Sequence, residues 1–116
     1  MTDKIKTGNK GENIAANFLI DNGYEILERN YRYRHSEIDL IVKKNDFLVF
    51  VEVKTRSSTD FGEPEEFVTD GQVAKIFEGA DEYIYETDWH GPIRFDIISV
   101  VLDGSVTVTH FEDAFH

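Results

Sequence analysis

Residues 37–56 read Glu37-Ile-Asp-Leu-Ile-Val-Lys-Lys-Asn-Asp-Phe-Leu-Val-Phe-Val-Glu-Val-Lys-Thr-Arg56, and the way this stretch pairs with itself decides the fold. Ile38, Leu40 and Val42 alternate with Glu37, Asp39 and Ile41, while Phe47, Val49, Val51 and Val53 alternate with Leu48, Phe50, Glu52 and Lys54. A period of two marks both segments as β-strands. Lys43-Lys44-Asn45-Asp46 between them is short and has turn residues at its centre, which suits a tight hairpin. A turn centred on Asn45 and Asp46 sets Asp39 opposite Glu52 and Glu37 opposite Lys54, so four charged groups share one face.

The run from Phe47 to Val53 is apolar enough that its strand should be buried, yet Glu52 lies inside it and Lys54 follows. Buried charge has to be paired or bound to a metal. Two carboxylates about 4 Å apart repel by roughly 4 kcal/mol at an effective dielectric near 20, so the pair needs an offsetting cation. A divalent ion or Lys54 would supply it. The plain alternative is a Glu37–Lys54 cross-strand pair with Asp39 and Glu52 solvated at the end of the sheet. The alternation accommodates both arrangements.

Upstream, Ile14, Ala15, Phe18 and Leu19 recur at helical spacing, and Gly23 stands where a helix stops in a left-handed turn. A helix over residues 11–22 follows, with Glu12 in its first turn, where the helix dipole favours an acid in any case. Residues 1–10 are expected to be a flexible, lysine-bearing lead-in. Residues 24–33 read as a first strand, with Arg29, Arg32 and Arg34 interleaved with Tyr31 and Tyr33. That mixture suits a phosphate backbone with exposed bases, and equally suits half-buried tyrosines beside solvated arginines.

Downstream, residues 55–67 have the composition of a loop, a candidate lid whose Asp60, Glu63, Glu65 and Glu66 repel phosphate unless turned away. Val73, Ile76, Phe77, Ala80 and Ile84 mark a second amphipathic helix over residues 69–86, opened by a Thr69–Gln72 capping box. Gly79 within it points to close packing or a local weakness. Residues 93–102 are a buried strand, Asp103-Gly104 a hairpin turn, and residues 106–111 a more exposed returning strand. Helix, three strands, helix and one or two strands predict a mixed sheet with helices packed on it.

The chain has 116 residues, enough for one domain with one core. Without cysteine, disulfides, thiolate metal sites and cysteine nucleophiles are excluded. The opening residues lack the apolar core of a signal peptide, and no run approaches a membrane span, so a soluble cytoplasmic protein is expected. The net charge of −11 argues against nucleic acid, but it is unevenly spread. Residues 1–56 hold ten of the twelve Lys and Arg against nine of the 23 Asp and Glu, a balance of +1, and the remaining two bases and fourteen acids leave −12 for residues 57–116.

With these positions in place, the chain resembles the bacterial YraN family, which looks like the PD-(D/E)XK nucleases and most closely like the archaeal Holliday-junction resolvases. The likeness spans nearly the whole chain. It rests on Gly11-Glu12, Gly23-Tyr24, Glu37-Ile-Asp39-Leu, Val51-Glu-Val-Lys-Thr-Arg56 and Arg94-Phe-Asp96. A Glu-X-Lys triplet alone is weak; Glu-Ile-Asp followed at this separation by Val-Glu-Val-Lys-Thr-Arg is specific. The resemblance implies a restriction-endonuclease-like three-layer α/β core with a mixed sheet flanked by helices.

It also implies a site. Asp39 and Glu52 would hold Mg²⁺, or Mn²⁺ in its place, joined by the Val53 main-chain carbonyl and by Glu12. Lys54 would orient the attacking water or stabilise charge developing on the phosphate, and Glu37 would be an additional acid. Arg29, Arg32, Arg34 and Arg56 would contact nucleic acid. The activity implied is Mg²⁺-dependent hydrolysis of DNA phosphodiester bonds, at branched or otherwise non-duplex DNA, and a homodimer follows from the resolvases. The competing expectation is a non-catalytic module on the same fold that binds nucleic acid or a protein partner. One departure weakens phosphate binding: Gly71-Gln72 stands where the family usually carries a basic residue.

Overall fold

The computed structural model describes residues 3–57 and 68–115. Its elements are α1 (Asp3–Asp21), β1 (Glu25–Tyr33), β2 (Ser36–Lys44), β3 (Phe47–Arg56), α2 (Asp70–Thr87), β4 (Ile93–Leu102) and β5 (Val106–Phe111). The strands form one sheet in the order β1-β2-β3-β4-β5. All neighbours are antiparallel except β3 and β4, which run parallel because α2 carries the chain back between them.

β3 is apolar on both sides because a helix covers each. Val49 and Val51 pack with Ala15, Ala16 and Leu19 of α1, whereas Leu48 and Phe50 pack with Ile76, Ala80 and Tyr83 of α2. The expected three-layer α/β arrangement is therefore what the chain forms. Among the described residues no helix is long and apolar enough to cross a membrane.

The helix ends match their sequence signals. Gly23 takes φ +89 just past α1, and the Tyr24 N–H reaches back to the Leu19 carbonyl at 2.9 Å. At α2 the Thr69 hydroxyl accepts from the Gln72 N–H (3.1 Å) while the Gln72 side chain accepts from the Thr69 N–H (3.0 Å), a closed capping box. Gln72, standing where the resembled family has a base, is thus engaged in starting the helix. Gly79 marks close packing: a Cβ there would lie 3.2 Å from Ser36 Cβ and 3.3 Å from Ile38 Cδ1.

Two expectations are corrected. α1 starts at Asp3, so the lead-in is helical and Glu12 lies mid-helix. Gly8 disfavours helix most between residues 3 and 10, at about 1 kcal/mol, with Thr7 and Asn9 each costing less, and extending an existing helix needs no new nucleus. The N-terminal dipole therefore does not account for Glu12. The chain after Lys54 also stays extended, since β3 runs on to Arg56 in parallel register with β4. The rest of the expected lid, residues 58–67, lies outside the described residues.

Gly11 explains how α1 approaches the end of β3. It is buried, and a Cβ at this position would run into the Thr55 side chain. Gly11→Val should destabilise the protein by about 2 to 3 kcal/mol, since overpacking a tight contact outweighs any gain in helix propensity. Denaturant midpoints of the parent and the variant check this, and equal midpoints would show that α1 shifts freely on the sheet.

Candidate functional site

The β2–β3 register follows the predicted turn, pairing Lys44 with Phe47 through to Leu40 with Val51. There the ladder stops. Leu40 and Val42 face the α1 core, but Ile38 joins Ile41 on the α2 side, so the strict alternation breaks at Asp39. Across β1, the pairs Arg29–Leu40 and Tyr31–Ile38 bracket Asn30 and Asp39, and Asn30 has the left-handed φ of 53°. A carboxylate thus sits where two strands part.

The Val53 N–H donates to Asp39 Oδ2 at 2.8 Å, the side chain replacing the carbonyl that a continued ladder would offer. Asp39 and Glu52 act on each other's ionisation, and Lys54 Nζ lies 3.7 Å from Glu52 Oε1, with the two side chains 22% and 20% exposed. Burial, then the Glu52 charge, push the Asp39 carboxyl up to about 8, with Glu12 and Glu37 adding to the rise and the Val53 N–H opposing it. Glu52 is raised as well, first by burial, while Lys54 and the hydrogen bond from Asp39 hold it down. Both carboxyls are raised because two desolvated carboxylates cannot both ionise cheaply.

Asp39, Glu52 and Lys54 are therefore brought together as expected, and Val53 touches the cluster through its N–H. Glu37 is not opposite Lys54. It pairs with Arg32 at 3.4 Å, because β2 and β3 have diverged before reaching it. The plain Glu37–Lys54 arrangement is thereby replaced by a Glu52–Lys54 contact. Glu12 enters from α1: with its amide oriented as its surroundings require, Asn30 Nδ2 lies 3.0 Å from Glu12 Oε1 and 3.3 Å from Glu37 Oε1. Among the described residues no group of three or more His, Asp or Glu side chains converges as metal ligands do.

The arginines are more engaged within the fold than their sequence suggested. Arg29 Nη2 bonds Asn13 Oδ1 at 2.5 Å, tying β1 to α1, and Arg34 lies 5.1 Å from the Tyr33 ring centre. Arg56 ends β3 and is half-buried. Arg34 also borders an open cleft of about 420 Å³ whose other walls are Tyr33, Glu78, Asp81, Glu82 and Tyr85. Three acids there oppose phosphate. Tyr31 is not free to stack on a base, since it packs edge-on against Tyr83 (5.3 Å) and its hydroxyl meets Glu86 Oε2 at 3.3 Å.

Two features escaped the sequence. Asn30 carries no motif, and only its tolerance of positive φ could have singled it out. The other is a polar cluster around the fully buried Asp96, whose Arg94-Phe-Asp96 motif stood in the sequence without a role or partners. Arg94 donates to both of its oxygens at 2.9 and 2.8 Å, His110 Nε2 lies 2.7 Å from Oδ2, and the Asp113 N–H donates to Oδ1 at 3.0 Å. Arg94 Nη2 also donates to the Tyr24 hydroxyl at 2.6 Å. Burial alone would raise Asp96, but the hydrogen bonds from His110, Arg94 and Asp113 outweigh it and hold the carboxyl below its ordinary value.

Fold and cluster together define a three-layer α/β protein with a carboxylate pair and a lysine where two central strands part. The model of the uncharacterised protein family UPF0102 matches residues 11–100. The chain belongs to this family, which is the YraN family its motifs resemble. It is 42% identical over 117 residues to the UPF0102 protein FP2501 of Flavobacterium psychrophilum, covering 100% of this chain and 98% of that one. A UPF0102 protein of Syntrophomonas wolfei is 45% identical over 107 residues, 90% of this chain and 93% of the relative. Among solved structures, Pyrococcus furiosus SfsA in complex with Ca²⁺ aligns with 95% of this chain and 64% of its own, at 16% identity and a TM-score of 0.35.

Proposed function

We propose that this protein is a divalent-cation-dependent endonuclease that hydrolyses DNA phosphodiester bonds, with branched or non-duplex DNA as its substrate class. The observation that carries this reading is the desolvated contact between Asp39 and Glu52 with Lys54 beside it. A desolvated carboxylate pair is costly to ionise in isolation and becomes favourable when a cation sits between the two charges. The donors fit magnesium: two hard carboxylate oxygens, with water completing the shell as Mg²⁺ prefers. When bound, the ion supplies a bound water of lowered pKa and charge to neutralise the phosphate.

The chain's own residues do the rest. Asp39 is fixed by the Val53 N–H, so its free oxygen and Glu52 present a defined pair of acceptors. Lys54, held by Glu52, keeps its ammonium at the rim, placed to meet an anionic phosphate as charge develops. Arg29 and Arg32 lie on the neighbouring strand β1, and in this reading their guanidinium groups leave Asn13 and Glu37 to take phosphate. The test is a cleavage assay on duplex, single-stranded, flap and four-way DNA with Mg²⁺ or Mn²⁺. Metal-dependent cleavage that requires Lys54 supports the proposal; no cleavage of any of these substrates overturns it. The acid-walled cleft beside Arg34 favours the second reading, a binding module without catalysis, which that same outcome would select.

A cation that binds only the folded state adds about 2.7 kcal/mol at a hundredfold excess over Kd. Mn²⁺ should accordingly raise the melting temperature of the parent, and Glu52→Gln should abolish most of the rise. The effect should grow with pH. The raised Asp39 carboxyl contributes stability that is full below roughly pH 4 and is lost as the pH climbs to about 8, where the ionised pair then favours the cation. A Mn²⁺-induced rise no greater at pH 8 than at pH 6 would place the ion elsewhere.

A further inference from the structure

Asn30 stands out on two independent counts. Its backbone takes φ 53° in the middle of a strand, a conformation that asparagine tolerates better than most residues, and it lies across from Asp39 in the β1–β2 register. Its side-chain nitrogen is then within hydrogen-bond distance of carboxylates from two other elements, Glu12 of α1 and Glu37 of β2. An amide NH₂ has two donor hydrogens, which matches two carboxylates that would otherwise repel.

We propose that Asn30 is the positioning residue of the acidic site, its one amide holding Glu12 and Glu37 together at the solvent edge as fixed acceptors for the water shell of a divalent cation. Both carboxylates act electrostatically on Asp39, so they border the inner pair. Glu12 comes from a helix and Glu37 from a strand, and Arg32 competes for Glu37 from its exposed side. Without the amide, nothing described between the two carboxylates would keep them at a common distance. Outer partners of this kind set the orientation of the groups around a metal, and their loss typically weakens binding by ten- to a hundredfold.

This inference rests on the cation reading above, and its test separates the two. Mn²⁺ is titrated calorimetrically into the parent, Asn30→Gly, Glu12→Gln/Glu37→Gln and the triple variant; glycine keeps the positive φ while removing the amide. Asn30→Gly should weaken Mn²⁺ about tenfold in the parent and by less than about twofold once both carboxylates are gone, because it acts through them. A parent that binds no Mn²⁺ overturns the cation reading and this inference with it. A parent that binds while Asn30→Gly binds equally well, or loses the same tenfold in the double background, overturns the inference alone. A second measurement leaves Asn30 in place: its side-chain amide NMR signal should move in both Glu12→Gln and Glu37→Gln, and a signal unmoved by either overturns the bridge.

Discussion

Lys54→Ala should slow single-turnover DNA cleavage by roughly two orders of magnitude or more, the scale on which loss of one electrostatic stabiliser is felt. Lys54 meets Glu52 at 3.7 Å and is a fifth exposed, so its ammonium is partly desolvated while remaining accessible from solvent. DNA affinity measured in Ca²⁺ should change little, because one contact among several contributes about one unit of salt slope. Arg29→Ala and Arg32→Ala should behave in the opposite way, weakening binding and flattening its salt dependence while saturated cleavage stays nearly intact. Arg34→Ala should have the smallest binding effect of the three, since Glu78, Asp81 and Glu82 share its cleft. Parallel loss of affinity in the Lys54 and arginine variants, with no cleavage by the parent, would establish the binding module instead.

Asp96→Ala should cost about 3 to 5 kcal/mol of stability, the penalty for leaving a buried ion pair with one partner. Asp96 is fully buried, and its removal leaves Arg94 with only the Tyr24 hydroxyl and the exposed Glu112 at 3.8 Å, and takes from His110 Nε2 its 2.7 Å partner and from the Asp113 N–H the acceptor at 3.0 Å. This is the link between β4, β5 and the chain after them, so the loss falls on the edge of the sheet. The pH dependence follows from the lowered carboxyl. Its stabilisation is present above the unfolded value near 4 and is lost as pH falls through the folded value, so the parent should weaken in acid while Asp96→Asn shows a shallower acid limb. Urea midpoints from pH 3 to pH 7 decide it; identical acid limbs would show that the cluster is held by packing alone.

Asp39 and Asp96 illustrate opposite uses of a buried carboxylate. Asp96 receives donors on both oxygens and is held charged, which reads as structural. Asp39 receives one backbone donor and faces other acids, which leaves it short of positive charge. Perturbed groups of this kind concentrate at functional sites, which is why the proposed site is Asp39 and Glu52 rather than the better-connected cluster.

Much was legible before any coordinates. The period-two runs and the Asn45-Asp46 turn fixed the β2–β3 register, Thr69 and Gln72 announced α2, and Asp103-Gly104 announced the last hairpin, because each of these is a local preference of the backbone. The contact of Asp39 with Glu52 followed from that register. What the sequence could not carry is where a regular pattern stops. Only the packing of Ile38 against α2 breaks the alternation at Asp39, and that break separates Glu37 from Lys54. Gly11 stands in a motif that does not say what it touches, and Asn30 stands in none; their places are decided by the approach of α1 to Thr55 and by the two carboxylates around a left-handed residue. Such contacts join residues far apart in sequence, so no local propensity encodes them; they exist only once the two helices and the sheet have been packed together.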